Sequence, residues 1–255
     1  MQLADLLILA PGLAAGAAIL ASHVQLGQQV LKRGIIFIDL AVAQWAAIGA
    51  LLAGLWFGDE VSPWLSGAVA AAFALAGAFG LAWLEGRVVQ LEAIIGVLYV
   101  LAATGALLLL AQDPHGGETL KRSLSGEMLW LTWPSLWPWL LLHLALALLL
   151  WWRPQLLAGW HFYPLFAVAI TAAVPLVGVF LVFTSLVVPA LAVRHLSRGW
   201  ALLVAWALGV SGYLSGLALS LLLDWPTGAT VVWTMAVAAL LLVMVRRGRQ
   251  LIRAG

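Results

Sequence analysis

Long apolar runs alternate along this chain with short polar connectors. The runs occupy 6–22, 35–57, 64–84, 88–111, 135–152, 162–193, 200–223 and 229–245. Most approach the ~20 residues that a helix rising about 1.5 Å per residue needs to cross a hydrocarbon core of about 30 Å. The connectors read "HVQLGQQVLKRG", "GDEVSP", "EGR", "QDPHGGETLKRSLSGEMLWLTWP", "RPQLLAGWH", "RHLSRG" and "DWPTG", and the tail reads "RRGRQLIRAG". The pattern predicts an all-α, polytopic integral membrane protein with one transmembrane domain over 1–255. No stretch reads as a soluble domain, a repeat array or a disordered linker.

The run at 162–193 decides the topology. Its 32 residues would make a helix of about 48 Å, too long for one crossing. Pro175, Gly178 and Pro189 lie inside it, each able to break or kink a helix. If the run enters and returns, Lys32, Arg33, Arg87, Arg153, Arg194, Arg198 and the arginines of the tail share one side, with Lys121 and Arg122 opposite. The positive-inside rule favours that arrangement. It predicts eight to nine membrane helices, counting a broken or re-entrant pair at 162–193. The N-terminus is then outside and the C-terminus inside. The first run has Asp5 rather than basic residues before it and is expected to be a retained span, not a signal peptide.

Composition agrees with the pattern. Of 255 residues, 65% are hydrophobic and 9% charged, against about a quarter charged in soluble domains. There is no Cys, which excludes disulfides and thiolate metal sites. The basic residues fall in loops, where membrane orientation explains them and nucleic acid does not. The fifteen Trp fit an aromatic belt. The sequence lacks a Gly-rich Lys-Ser/Thr phosphate loop, a His-Glu-x-x-His zinc pattern and a Gly-x-Ser-x-Gly elbow, so no enzyme reading has residues behind it.

Candidate chemistry lies where ionisable groups enter the apolar runs, because burying a charge there is costly. Asp39 sits about one turn into the second run and Glu92 about one turn into the fourth. Each also sits near a helix N-terminus, which favours negative charge, with Arg33 or Arg87 at the boundary to pair with it. Gln44 follows Asp39 by five residues, roughly 140° around the helix, so the two cannot chelate one ion from a single face. Asp39 is expected to face the bundle or a pore, and Gln44 a neighbouring helix. His115 and Glu118 in "DPHGGE" could meet a metal at the outer surface, or form a turn with a Glu118–Arg122 pair. His23, His161 and His195 fall at run boundaries, an interfacial placement. His143 lies inside the fifth run and is expected to hydrogen-bond to a neighbouring helix.

Several stretches, in order, resemble one family: "VLKRGIIFIDLAVAQWAAIGA", "LEAIIGVLYVLAATGALLLL", "DPHGGETLKRSLSGEMLWL", "PLVGVFLVFTSLVVPALAV" and "LDWPTGATVV". Over about 24–235 the chain resembles the membrane permease subunit of zinc/manganese-type ABC importers. That resemblance implies a dimer of two copies in the bacterial inner membrane. It also implies two cytoplasmic ATPase subunits and an external metal-binding protein as partners, with a divalent metal, zinc ahead of manganese, as cargo. No cofactor is bound by the chain itself. The family carries, in this second span, an Asp followed four residues later by a His. Here position 43 is Ala, Gln44 stands nearest the missing His, and the local pattern is Asp-Leu-Ala-x-Ala-Gln. The implied metal-contacting set is Asp39, Gln44 and Glu92 in the pathway, with His115 and Glu118 near the docking site of the binding protein. The cytoplasmic segment that docks on the ATPase is reduced to "RPQLLAGWH". That shortening keeps a rival open, an ATPase-independent proton- or ion-coupled secondary transporter or a membrane scaffold.

Overall fold

In the computed structural model, residues 3–58, 61–111, 117, 124, 126 and 128–254 are described. They form nine α-helices and no strand. These are α1 (Leu3–Arg33), α2 (Ile38–Phe57), α3 (Pro63–Leu84), α4 (Leu91–Leu110), α5 (Trp133–Trp152), α6 (Phe162–Val177), α7 (Val179–Ala192), α8 (Arg198–Leu223) and α9 (Thr227–Ala254). Short 3-10 turns at Met128–Trp130 and Pro154–Leu157 flank α5. Seven helices are long and apolar enough to cross a membrane, while α6 and α7 are shorter apolar helices of 16 and 14 residues.

The elements follow from local sequence. Pro63 at the first position of α3 loses no needed hydrogen bond, and the Ser62 hydroxyl accepts from Leu65 N–H at 3.3 Å. The expected break between α6 and α7 falls at Gly178, whose φ of 80° suits a residue without a Cβ. Pro175 and Pro189, by contrast, are absorbed within their helices.

One boundary differs from the sequence reading. The "HVQLGQQVLKRG" connector does not exist as a loop, because α1 runs on through it to Arg33. Polar residues at 22, 25, 28 and 29 looked like the end of a span. They are tolerated because α1 is the central post of the bundle, not because the helix has left it. Its apolar window is 72% buried, against 17–39% for the other six long helices. Its small residues allow close approach: a Cβ on Gly27 would stand 1.9 Å from the Leu186 carbonyl oxygen of α7. At the opposite extreme, α4 is 17% buried and lies at the periphery.

The α6–α7 pair folds back on itself. Phe162 and Tyr163, at the start of α6, lie under the Arg33 guanidinium at the C-terminal end of α1. Val193 and Arg194, just past α7, share a cavity of about 610 Å³ with Lys32 and Ile36 at that same end. The Gly178 break lies far from it, against Gly126, while the carbonyl of nearby Met128 lies over Gly12 on the first half of α1.

Candidate functional site

The acids are delivered by two helix starts. Asp39 lies in the first turn of α2 and Glu92 in the first turn of α4. No side chain caps α2. Instead Phe37 N–H donates to Glu92 Oε1 at 3.2 Å, which sets the two first turns side by side. Asp39 is 1% exposed, and neither of its carboxylate oxygens has a hydrogen-bond partner; Glu92 Oε2 is likewise buried and unpartnered. Phe37 covers this end by stacking on Phe183 of α7, with ring centroids 6.2 Å apart. Gln44 is buried one turn and a half deeper, about 7.5 Å along the axis from Asp39.

The arginine partners expected for these acids are engaged elsewhere. Arg33 forms an ion pair with Glu85, at the end of α3, instead of reaching Asp39. Its Nη2 also donates to Leu157 O at 3.1 Å and to Gly159 O at 2.8 Å. Its guanidinium lies 4.7 Å from the Phe162 ring centroid and 5.4 Å from that of Tyr163. One side chain thus joins the α1–α2, α3–α4 and α5–α6 turns. Arg87 bonds back to the Trp83 carbonyl and covers the Trp83 ring, leaving Glu92 unpaired with it.

Asp39 is therefore a buried carboxylate with no cation beside it and no side-chain donor, only the first-turn N–H groups of its own helix nearby. Such a group needs a proton, water or a metal cation at its oxygens. Alone it is not a complete metal site. Among the described residues no group of three or more His, Cys, Asp or Glu is placed to hold one ion. The structure brings Asp39 and Glu92 to one end of the bundle and leaves Gln44 deeper. His115 and Glu118 lie outside the described residues.

A second polar cluster was not legible as a site in the sequence. His23, read as interfacial, is fully buried inside α1. Ser22 Oγ is 3.3 Å from His23 Nδ1 and 3.0 Å from His143 Nδ1 on α5, so His143 does bond to a neighbouring helix. The spacing of Ser22, Gln25, Gln29 and Lys32 along one face of α1 is the signal that could have exposed it.

Residues 157–246 match the ABC 3 transport family, covering α6 to most of α9. No curated protein matches the chain in sequence. Among solved structures the fold is similar to that of PsaBC from Streptococcus pneumoniae in complex with Fab, with a TM-score of 0.74 at 16% identity. The alignment covers 92% of this chain and 90% of that one, a likeness of fold along nearly the whole length.

Proposed function

We propose that this chain is the permease subunit of an ABC importer for a divalent transition metal, zinc ahead of manganese. The observation that carries the reading is the match of 157–246 to the ABC 3 transport family, on a bundle resembling PsaBC over 92% of its length. The subunit works as one of two copies in the bacterial inner membrane. A cytoplasmic ATPase drives alternating access, and an external binding protein delivers the metal. The chain itself performs no covalent chemistry.

In this reading the Arg33 end is cytoplasmic, as the positive-inside rule requires of Lys32, Arg33, Arg87, Arg153 and Arg194. The N-terminus lies outside and the C-terminus inside. The α6–α7 pair is re-entrant: α6 spans about 24 Å and α7 about 21 Å, each short of the hydrocarbon core. Helices interrupted in this way recur at transport sites because neighbouring protein satisfies the exposed backbone. Asp39 meets the cation near the cytoplasmic mouth, braced by Glu92, with Gln44 a deeper oxygen donor. His115 and Glu118 serve the outer docking side. The ATPase acts on the short turns gathered by Arg33. The brevity of that docking surface, one 3-10 turn at Pro154–Leu157, is what favours the alternative of an ATPase-independent ion-coupled transporter.

The test is the total metal content of chelator-stressed cells lacking this gene, complemented with wild type or Asp39→Asn. Wild type restores zinc or manganese. The variant, nearly isosteric and correctly inserted, loses uptake by about tenfold or more, since one charged ligand interaction is worth roughly 1.5–3 kcal/mol. Unchanged metal content in the deletion strain, with chelation verified, rejects the importer. Copurification with an ATPase separates the importer from the ion-coupled alternative.

A further inference from the structure

The buried cluster on α1 fixes its own protonation pattern. Ser22 Oγ donates to Ile19 O at 3.0 Å and also contacts His23 Nδ1 and His143 Nδ1 at 3.3 and 3.0 Å. A hydroxyl has one hydrogen and two lone pairs. For neutral rings only one assignment satisfies all three contacts: the hydroxyl hydrogen goes to Ile19 O, and both imidazoles donate Nδ1–H to Ser22. Each ring then presents a bare Nε2 lone pair. Both Nε2 atoms are buried and lack a partner, in rings that are 0% exposed. The two rings stand 5.7 Å apart by centroid, tilted by 55°. Two acceptors in an apolar interior require donors the protein does not supply.

A polar file runs along α1 toward them. Along one face of α1, Lys32 is exposed, Gln29 and its neighbour Gln28 are half-buried, Gln25 is 9% exposed and Ser22 is 0% exposed. The first four border a cavity of about 110 Å³, closed by Pro154 and Leu157, with room for several waters at about 30 Å³ each. Gln25 Nε2 is committed to Ala21 O and Ala147 O at 3.2 and 3.1 Å, which leaves its Oε1 as an acceptor next to that cavity. Beyond Ser22 the same face of the helix is sealed by Ile19 and Ala15, both 0% exposed. The file is open at one end and blind at the other.

We propose that this seam is a hydrated inlet from the Lys32 end that terminates at the His23–His143 pair, with water and the protons it carries as its ligand. The inlet is separate from the Asp39 pathway and independent of the transport reading. Its terminal nitrogens accept hydrogen bonds from water and, when a proton arrives, bind it at Nε2.

The chain has no cysteine, so single-cysteine variants report water access without background. Gln29→Cys, Gln25→Cys and His143→Cys in lipid are exposed to Ag⁺, then denatured and labelled with a maleimide. Ile19→Cys beyond the blind end and Leu141→Cys on the lipid face are the controls. The expected result is silver protection at 29, 25 and 143 at least about tenfold faster than at either control. Protection of Gln25→Cys as slow as Ile19→Cys overturns the inlet, whatever His143→Cys does. Nitrogen NMR of histidine-labelled wild type reads the terminus, with signals assigned through His23→Gln and His143→Gln. Both rings are expected as Nδ1–H tautomers; an Nε2–H tautomer in either overturns the proposal.

Discussion

Asp39 and Gln44 share a helix without sharing a face, yet both are buried, because α2 is enclosed by α3, α4 and α6. The sequence exposed Asp39 because a carboxylate interrupts an apolar run there. Its surroundings were less legible: an arginine six residues earlier looked like its partner, and only the fold assigns that arginine to Glu85. His23 was misread for a related reason. Placing the end of the first span at 22 put His23 at an interface, whereas burial of the neighbouring polar residues against α5 lets the helix continue. At this scale the testable position is Gln44. Gln44→His exchanges a hard amide oxygen for an imidazole that prefers zinc over manganese. The zinc-to-manganese uptake ratio should rise by about five- to tenfold, equivalent to roughly 1 kcal/mol of ligand preference. An unchanged ratio removes Gln44 from coordination.

Two contacts between elements carry measurable consequences. Gly27→Ala drives a methyl into the α7 backbone at Leu186, where a rotamer change cannot relieve the clash. The variant should lose about 1–3 kcal/mol or more, read as a lower unfolding midpoint in detergent; an unchanged midpoint means that α7 stands farther from α1. The Arg33 ion pair is less sheltered, since the Arg33 side chain is 10% exposed and that of Glu85 is 35% exposed. Glu85→Gln should cost on the order of 1 kcal/mol, well below the loss for a fully buried pair. Arg33→Ala should cost more, because it also frees the carbonyls of Leu157 and Gly159 and uncovers two aromatic rings. Equal midpoints for the two variants would confine the role of Arg33 to the ion pair. The element boundaries themselves were well marked where Pro and Gly punctuate, as at Pro63 and Gly178, and poorly marked in α1, where tertiary burial overrode local polarity.

Over the whole molecule, the all-helical architecture was legible because apolar length is a property of the unfolded sequence. The fold adds the placement of both ends of the α6–α7 pair at the C-terminal end of α1. Single cysteines at Gly159 and His195, on either side of that pair, should therefore react with an impermeant maleimide from the same side of the membrane. A cysteine at Gly58 should react from the opposite side. Labelling of 159 and 195 from opposite sides would make the pair a single crossing and invert every helix after it.

The Arg33 hub also has a history in time. Its three polar contacts lie 52, 124 and 126 residues further along the chain. At ribosomal rates of about 5–20 residues per second, Glu85 is made some 3–10 s after Arg33, and Gly159 about 6–25 s after it. During that interval the guanidinium has its carboxylate but not its carbonyls, and the first four helices wait in the bilayer with one end unsealed. Completion of the α5–α6 turn supplies those carbonyls, so the polar partners of Arg33 are complete only once the chain through Gly159 has been made.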